Sequence, residues 1–284
     1  MDQKSYLGLT TGGFHRVSYT EWGKPNGSPP VVCVHGLTRN SRDFDYLAAM
    51  LQRDGRYVAC PDIVGRGRSD WLTDKHHYTF ATYCADFTAL FARLDSETFD
   101  WIGTSLGGLI GIFMAAQPNS PIRRLVLNDA GPFIPKEAPR RLLTYVGTTP
   151  KFASMEEAEQ YYRNILVPYG KLNNEHWAHL TRHSVRPRAE GGYEPLYDPG
   201  IAVPMKAVPI ADLNLWPVWD QVRCPVLVLR GAESDVLLKE TAEKMKTRGP
   251  QQVDVVEFEG VGHAPPLLAA KHINVVREWL LNPL

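Results

Sequence analysis

The sequence predicts an α/β chain: a mostly parallel, twisted sheet with helices on both faces and a helical segment inserted after the sixth strand. Three observations predict it. Short apolar runs alternate with longer helical patterns along most of the chain. Several runs are apolar at every position, as strands covered on both faces must be. The alternation breaks once, between about residues 131 and 221, where no strong buried strand occurs.

The strand candidates start with Val17–Trp22, an alternating run expected in an edge hairpin. They continue with Val31–His35, Tyr57–Cys60, Phe99–Gly103, Arg124–Asn128, Val226–Arg230 and Val253–Phe258. The helical patterns between them cover Asp43–Arg53, Phe80–Leu94, Leu106–Gln117, Lys239–Thr247 and Ala270–Leu281. Inside the break lie helical patterns at Lys136–Val146, Met155–Leu166 and Asn174–Ser184. The middle one starts at Ser154-Met155-Glu156-Glu157, which has capping-box spacing.

At 284 residues and 44% hydrophobic content the chain can bury one large core, and α/β chains of this length form one domain with an insertion. The expected division is a core of residues 1–131 and 221–284 and a helical cap of residues 132–220. That cap would cover the carboxyl ends of the strands, where open α/β sheets bind ligands. The 31 basic and 31 acidic residues cancel, which argues against nucleic-acid or anionic-membrane partners. No run reaches the ~18 apolar residues of a membrane helix. The N-terminus lacks the apolar core of a secretory signal, so the expectation is a soluble, cytoplasmic protein. Cys33, Cys60, Cys84 and Cys224 have no metal-ligand spacing and read as reduced structural thiols.

Gly103-Thr104-Ser105-Leu106-Gly107 follows a buried strand and opens an apolar helix. This is the nucleophile-elbow arrangement, in which a sharp turn lifts the serine hydroxyl above the sheet. The glycines two positions either side are needed where helix and strand pass closely. A phosphate cradle is a poor alternative, since the Walker lysine and the G-x-G-x-x-G spacing are both absent. Attack by Ser105 on a carbonyl creates an oxyanion that needs fixed N–H donors. Leu106, at a helix start, and Leu37, after Val34-His35-Gly36, are the expected donors. His35 reads as a structural hydrogen-bonder.

A serine hydroxyl needs a general base, and in this architecture the order is serine, acid, histidine. His263 follows the last core strand directly, in the short loop Gly260–Pro266. Two aspartates end core strands. Asp235, in Arg230-Gly231-Ala232-Glu233-Ser234-Asp235, is the expected acid; Asp129, after Leu125–Asn128, is its rival.

Together these residues resemble the α/β-hydrolase superfamily in its cap-bearing branch. The motifs are the His35-Gly36 loop, Asp62–Ser69, the Gly103–Gly107 elbow, the Gly231–Asp235 turn and the Gly262-His263 loop. The resemblance implies catalytic roles for Ser105, Asp235 and His263, oxyanion roles for Leu37 and Leu106, and no metal or cofactor. Asn128–Pro132 and Tyr193–Pro199 look similar to bacterial esterases, including intracellular hydroxybutyrate-oligomer hydrolases. The implied substrate is a small ester or short oligoester. The same scaffold also serves carbon–carbon hydrolysis of vinylogous diketones, perhydrolysis, acyl transfer and, without turnover, small-molecule reception. Dehalogenases and epoxide hydrolases place an aspartate where Ser105 stands.

His176, His179 and His183 share a helix face, but H-E-x-x-H is absent and the reading is a polar face rather than a metal site. Trp71, Trp216 and Trp219 are candidates for pocket lining or for packing.

Overall fold

The computed structural model describes residues 1–282. Its centre is an eight-stranded sheet in the order β1-β2-β4-β3-β5-β6-β11-β12. The strands are β1 (Asp2–Thr10), β2 (Gly13–Trp22), β3 (Val31–Val34), β4 (Val58–Pro61), β5 (Phe99–Thr104), β6 (Ile122–Asn128), β11 (Val226–Gly231) and β12 (Val253–Phe258). β1 and β2 form an antiparallel hairpin, β2 pairs antiparallel with β4, and every other pairing is parallel.

Strand alternation divides the core into two layers. Val32 and Val34 face a cluster that includes Phe87, Leu90 and Ile110; Val31 and Cys33 face Leu47, Leu51, Ile273 and Val276. Helices α2 (Phe80–Leu94) and α3 (Leu106–Ala115) therefore cover one face, and α1 (Asp45–Arg53) and α10 (Ala270–Leu281) the other. Helix α9 (Lys239–Met245) connects β11 to β12. All four cysteines are free, with Cys33 and Cys60 buried.

β1 was not anticipated from the sequence. Its exposed positions, Leu7 and Leu9 among them, carry no buried apolar run; only pairing with β2 makes it a strand.

Between β6 and β11 the chain leaves the main sheet. It forms β7 (Phe133–Ile134), α4 (Glu137–Leu142), α5 (Met155–Ile165), α6 (Asn174–Ser184), β8 (Val185–Pro187), β9 (Tyr193–Pro195), α7 (Ala202–Lys206), β10 (Leu213–Asn214) and α8 (Trp216–Trp219). The short strands pair β7 with β10 and β8 with β9, and Tyr193 of β9 also bridges to Phe152. At the start of α5 the Ser154 hydroxyl accepts from the Glu157 N–H at 3.3 Å, while the Glu157 carboxylate accepts from the Ala153 N–H at 2.6 Å. The reciprocal bond thus reaches one residue further back than a standard capping box.

This segment is tied down at several points. The Asp198 N–H donates to the Gly65 carbonyl at 2.7 Å, and Gly67 N–H to Leu196 at 3.0 Å. The Asn40 amide donates to the His183 carbonyl at 2.6 Å, and Arg39 to the Ser184 hydroxyl at 2.7 Å. Among the described residues no helix is long and apolar enough to cross a membrane.

The approach of α3 to the sheet is what positions the site. A Cβ on Gly103 would sit 2.2 Å from the Gly107 carbonyl oxygen, and one on Gly107 would sit 2.1 Å from that of Val34. Backbone atoms stand in both places, so neither clash is relieved by a rotamer change. Gly107→Ala is expected to cost about 2–4 kcal/mol of unfolding free energy, the overpacking range at its upper end. Urea denaturation of the variant beside the wild-type chain measures it.

Candidate active site

Ser105 sits between β5 and α3 with φ 51° and ψ −115°. A non-glycine residue at positive φ is strained, and such strain persists only where surrounding packing enforces it. Here the Ser105 N–H is anchored to the Asn128 carbonyl at 3.0 Å, and the two glycines let α3 close over the strand. The side chain is thereby raised off the carboxyl edge of the sheet.

His263, in the loop after β12, reaches that hydroxyl: Nε2 lies 2.9 Å from Ser105 Oγ. The loop is packed against the end of β11, where a Cβ on Gly231 would lie 2.2 Å from the Gly262 carbonyl oxygen. The Gly262 N–H donates to the Pro168 carbonyl of the inserted segment at 2.6 Å.

The carboxylate that meets the His263 imidazole is Asp129 and not the expected Asp235, which corrects that expectation. His263 Nδ1 lies 2.7 Å from Asp129 Oδ2. Asp129 is fully buried, and its Oδ1 accepts the Gly231 N–H at 2.9 Å. The Ser234 hydroxyl donates to Oδ2 as well. Ser234 Oγ in turn accepts the N–H groups of Val236 and Leu237, each at 3.1 Å, which leaves its own proton for Asp129. A carboxylate accepts only, so the imidazole proton is assigned to Nδ1 and the lone pair of Nε2 is free for the serine proton. Asp235 points the other way. It receives Arg141 of α4 through two bonds of 2.6 and 2.8 Å, and its side chain is 43% exposed. The turn after β11 sends Ser234 inward and Asp235 outward.

Both expected oxyanion donors lie at this rim. Leu106 is the first residue of α3, so its N–H has no partner within the helix. Leu37 follows Gly36, whose missing Cβ would stand 3.6 Å from Ser105 Cβ. Among the described residues no acceptor takes the Leu37 N–H. His35 is structural. Its Nδ1–H donates to the Gly36 carbonyl at 2.7 Å and its Nε2 accepts the Ile63 N–H at 2.9 Å. Since C=O and N–H of one trans peptide point in opposite directions, that bond aims the Leu37 N–H away from His35. Burial holds the His35 imidazole down at about 3, so it stays neutral.

A cavity of about 480 Å³ opens beside Ser105. Leu37, Leu106, Tyr78, Leu142, Met205 and Ile210 are among its walls, and no charged residue is. None of Trp71, Trp216 and Trp219 lines it. Trp216 and Trp219 are buried in the core, and Trp71 packs under Arg186. A polar cleft of about 580 Å³ elsewhere, over the β1–β2 hairpin, contains none of these groups.

On α6, polar atoms of His179 and His183 approach Asp45 to within 4.8 Å. Asp45 is already gripped by Arg42 through contacts at 2.9, 2.8 and 2.5 Å, and His179 Nε2 donates to the Arg42 carbonyl at 2.9 Å. The cluster is a polar contact between α6 and α1. Burial, with Arg42 beside it, lowers His183 to about 4.

Residues 29–270 match the family described as alpha/beta hydrolase fold. The chain belongs to that family. This hydrolase is 41% identical to the 3-hydroxybutyrate-oligomer hydrolase of Cupriavidus necator over 95% of its own length and 94% of that protein's. Among solved structures, a putative hydrolase from Rickettsia typhi superposes with a TM-score of 0.92 at 32% identity, covering 99% of both chains. An alpha/beta hydrolase from Novosphingobium aromaticivorans gives 0.86 at 32% identity, covering 98% of this hydrolase and 97% of that chain.

Two measurements check this geometry. Labelling of Ser105 by a fluorophosphonate is expected to slow about 10³-fold or more in Asp129→Asn, where the tautomer support is lost. Asp235→Asn is expected to stay within about 3-fold, since an exposed ion pair contributes little. Stability should also fall on acidification. His35 and His183 have depressed values when folded, so their contribution is complete above the unfolded value of ~6.5 and is lost as pH falls toward about 4 for His183 and about 3 for His35. Melting temperatures of His183→Asn and wild type between pH 7 and 4 should converge as the pH drops.

Proposed function

We propose that this hydrolase cleaves carboxylic esters, with short oligoesters of 3-hydroxybutyrate as its substrate class. The Ser105–His263–Asp129 relay carries the proposal: hydroxyl, imidazole and buried carboxylate stand in one hydrogen-bonded line at 2.9 and 2.7 Å. The likeness to the Cupriavidus necator enzyme over nearly the whole chain supports the substrate class.

The ester carbonyl lies above Ser105 with its acyl chain in the apolar cavity. Ser105 Oγ attacks the carbonyl carbon while His263 Nε2 takes the hydroxyl proton. Asp129 stays ionised and stabilises the imidazolium through Nδ1. The tetrahedral oxyanion is held by the N–H groups of Leu37 and Leu106; one such donor is worth about 3 kcal/mol. Collapse expels the alcohol, which takes the proton back from His263, and leaves an acyl-Ser105. Water then gives a proton to Nε2 and attacks the acyl carbon, releasing the acid and restoring Ser105.

The cavity walls suit a neutral, methyl-bearing acyl chain. A free carboxylate buried there would meet no charge partner, a costly arrangement. The anionic end of an oligomer is therefore assigned to the leaving alcohol, outside the cavity. Residues 132–220 act in this scheme as a lid whose α4 and α7 close the acyl side.

Chromogenic esters of graded chain length, run beside 3-hydroxybutyrate dimer and trimer, test the reading. Both classes are expected to turn over, and Ser105→Ala is expected to lose about 10⁴-fold or more in kcat for each. Absence of any ester turnover in the folded wild-type chain would remove the proposal.

A further inference from the structure

Arg66 stands behind the cavity wall, and the relay does not use it. It lies in the loop after β4 and is fully buried. Its Nε donates to the Leu37 carbonyl at 2.9 Å, and its Nη1 to the Val64 carbonyl at 2.8 Å and the Tyr83 hydroxyl at 3.1 Å. Nη2 has no hydrogen-bond partner, and no carboxylate lies within ion-pair distance among the described residues. The Tyr78 and Tyr83 rings flank the guanidinium at 5.6 and 5.3 Å. Leu37, Tyr78 and Tyr83 all line the cavity that contains Ser105.

A guanidinium keeps its charge in any interior, so burying one without a counterion is expensive. A hydrophobic side chain of similar volume could fill the same space at lower cost. The other buried guanidinium of this region differs: Arg39 is paired with Asp43 by two bonds. The unmatched charge of Arg66 is bonded to the very residue whose N–H is the proposed oxyanion donor. The Asp129 carboxylate is committed to His263, Gly231 and Ser234; in the proposed reaction new negative charge develops on the Leu37 side of Ser105, in the tetrahedral intermediate.

We propose that Arg66 is a positioning residue for the reaction: its grip on the Leu37 carbonyl fixes the oxyanion loop, and its unpaired charge favours the tetrahedral intermediate over the bound ester. The inference rests on the proposed ester-hydrolase reading. Two held peptides then frame the donor. His35 holds the Gly36 carbonyl on one side of the Leu37 N–H and Arg66 holds the Leu37 carbonyl on the other. Interactions that strengthen only as the oxyanion forms raise kcat without lowering KM.

The test compares wild type, Arg66→Met and Arg66→Lys on a short aryl ester, with an alkyl boronic acid as a probe that forms a tetrahedral adduct on Ser105. In Arg66→Met, kcat is expected to fall about 10²-fold with KM within about 3-fold, and boronic-acid affinity to fall in parallel. Arg66→Lys keeps the charge and is expected to recover about 10-fold of the loss. Circular dichroism establishes that each variant is folded. A folded variant of either kind with wild-type kcat and boronic-acid affinity would overturn the role of Arg66 and leave the ester-hydrolase reading intact. Equal loss in KM and kcat, or loss in Lys as complete as in Met, would also overturn it by reducing Arg66 to a packing role. If Arg66→Met does not fold, Arg66→Lys decides: it should lose about 10-fold in kcat and in adduct affinity together, and wild-type values of both would overturn the role. An inactive wild type would sink both readings at once.

Discussion

One buried carboxylate organises the carboxyl edge of this sheet. Asp129 is fully enclosed, and an ionised group in that position is tolerated only if every oxygen is satisfied. Gly231 N–H takes one oxygen, and Ser234 and His263 share the other. Each demand fixes something else. The Gly231 bond ties the end of β6 to the end of β11, and Ser234 shapes the turn that follows β11. The His263 bond holds an imidazole whose opposite nitrogen faces Ser105. Since Asn128 also accepts the Ser105 N–H, the residue before the acid anchors the nucleophile. In the proposed relay, Asp129 and the Ser105 backbone are therefore held by neighbouring residues of a single strand end.

The sequence made the elbow and the histidine loop readable because their requirements are local. Gly103, Ser105 and Gly107 satisfy a steric condition within five residues, and Gly262-His263 follows an unmistakable last strand. The buried strands were visible as continuous apolar runs. For the acid, where Asp129 and Asp235 both end strands, such reasoning chose Asp235, and the structure reverses the order. What separates them is the side on which a turn presents each side chain. One signal was present: Ser234, a residue before Asp235, carries a hydroxyl suited to serving a carboxylate supplied from elsewhere. β1 escaped for a different reason. It is held by a backbone ladder to β2 while most of its side chains face solvent, so no hydrophobic pattern marks it. The cavity was equally hidden, because its walls come from the β4–α2 connection, α3, α4, α7 and the segment before β10, which meet only after folding.

Asp235 has a place of its own in this arrangement. Paired with Arg141, it connects the turn after β11 to α4, a helix that also walls the cavity through Ala138 and Leu142. The ion pair is half in solvent and contributes little to stability. It joins α4 to the turn after β11, while the buried Ser234 beside it bonds Asp129.

The loop 62–69 extends the same logic to the opposite side of the site. Ile63 N–H fixes the His35 ring, and Arg66 fixes the Leu37 carbonyl. From its other face the loop gives Gly65 O to Asp198 N–H and receives Leu196 O at Gly67 N–H. Asp198 in turn accepts from Tyr78, a cavity wall, at 2.6 Å. The oxyanion loop and the inserted segment are thus bonded to one short stretch of backbone. Parting of the inserted segment at Leu196–Asp198 would break the two hydrogen bonds that hold that stretch, and with them the support behind Leu37. Under the proposed function, the Leu37 amide is therefore best supported while the inserted segment stays seated on the loop 62–69.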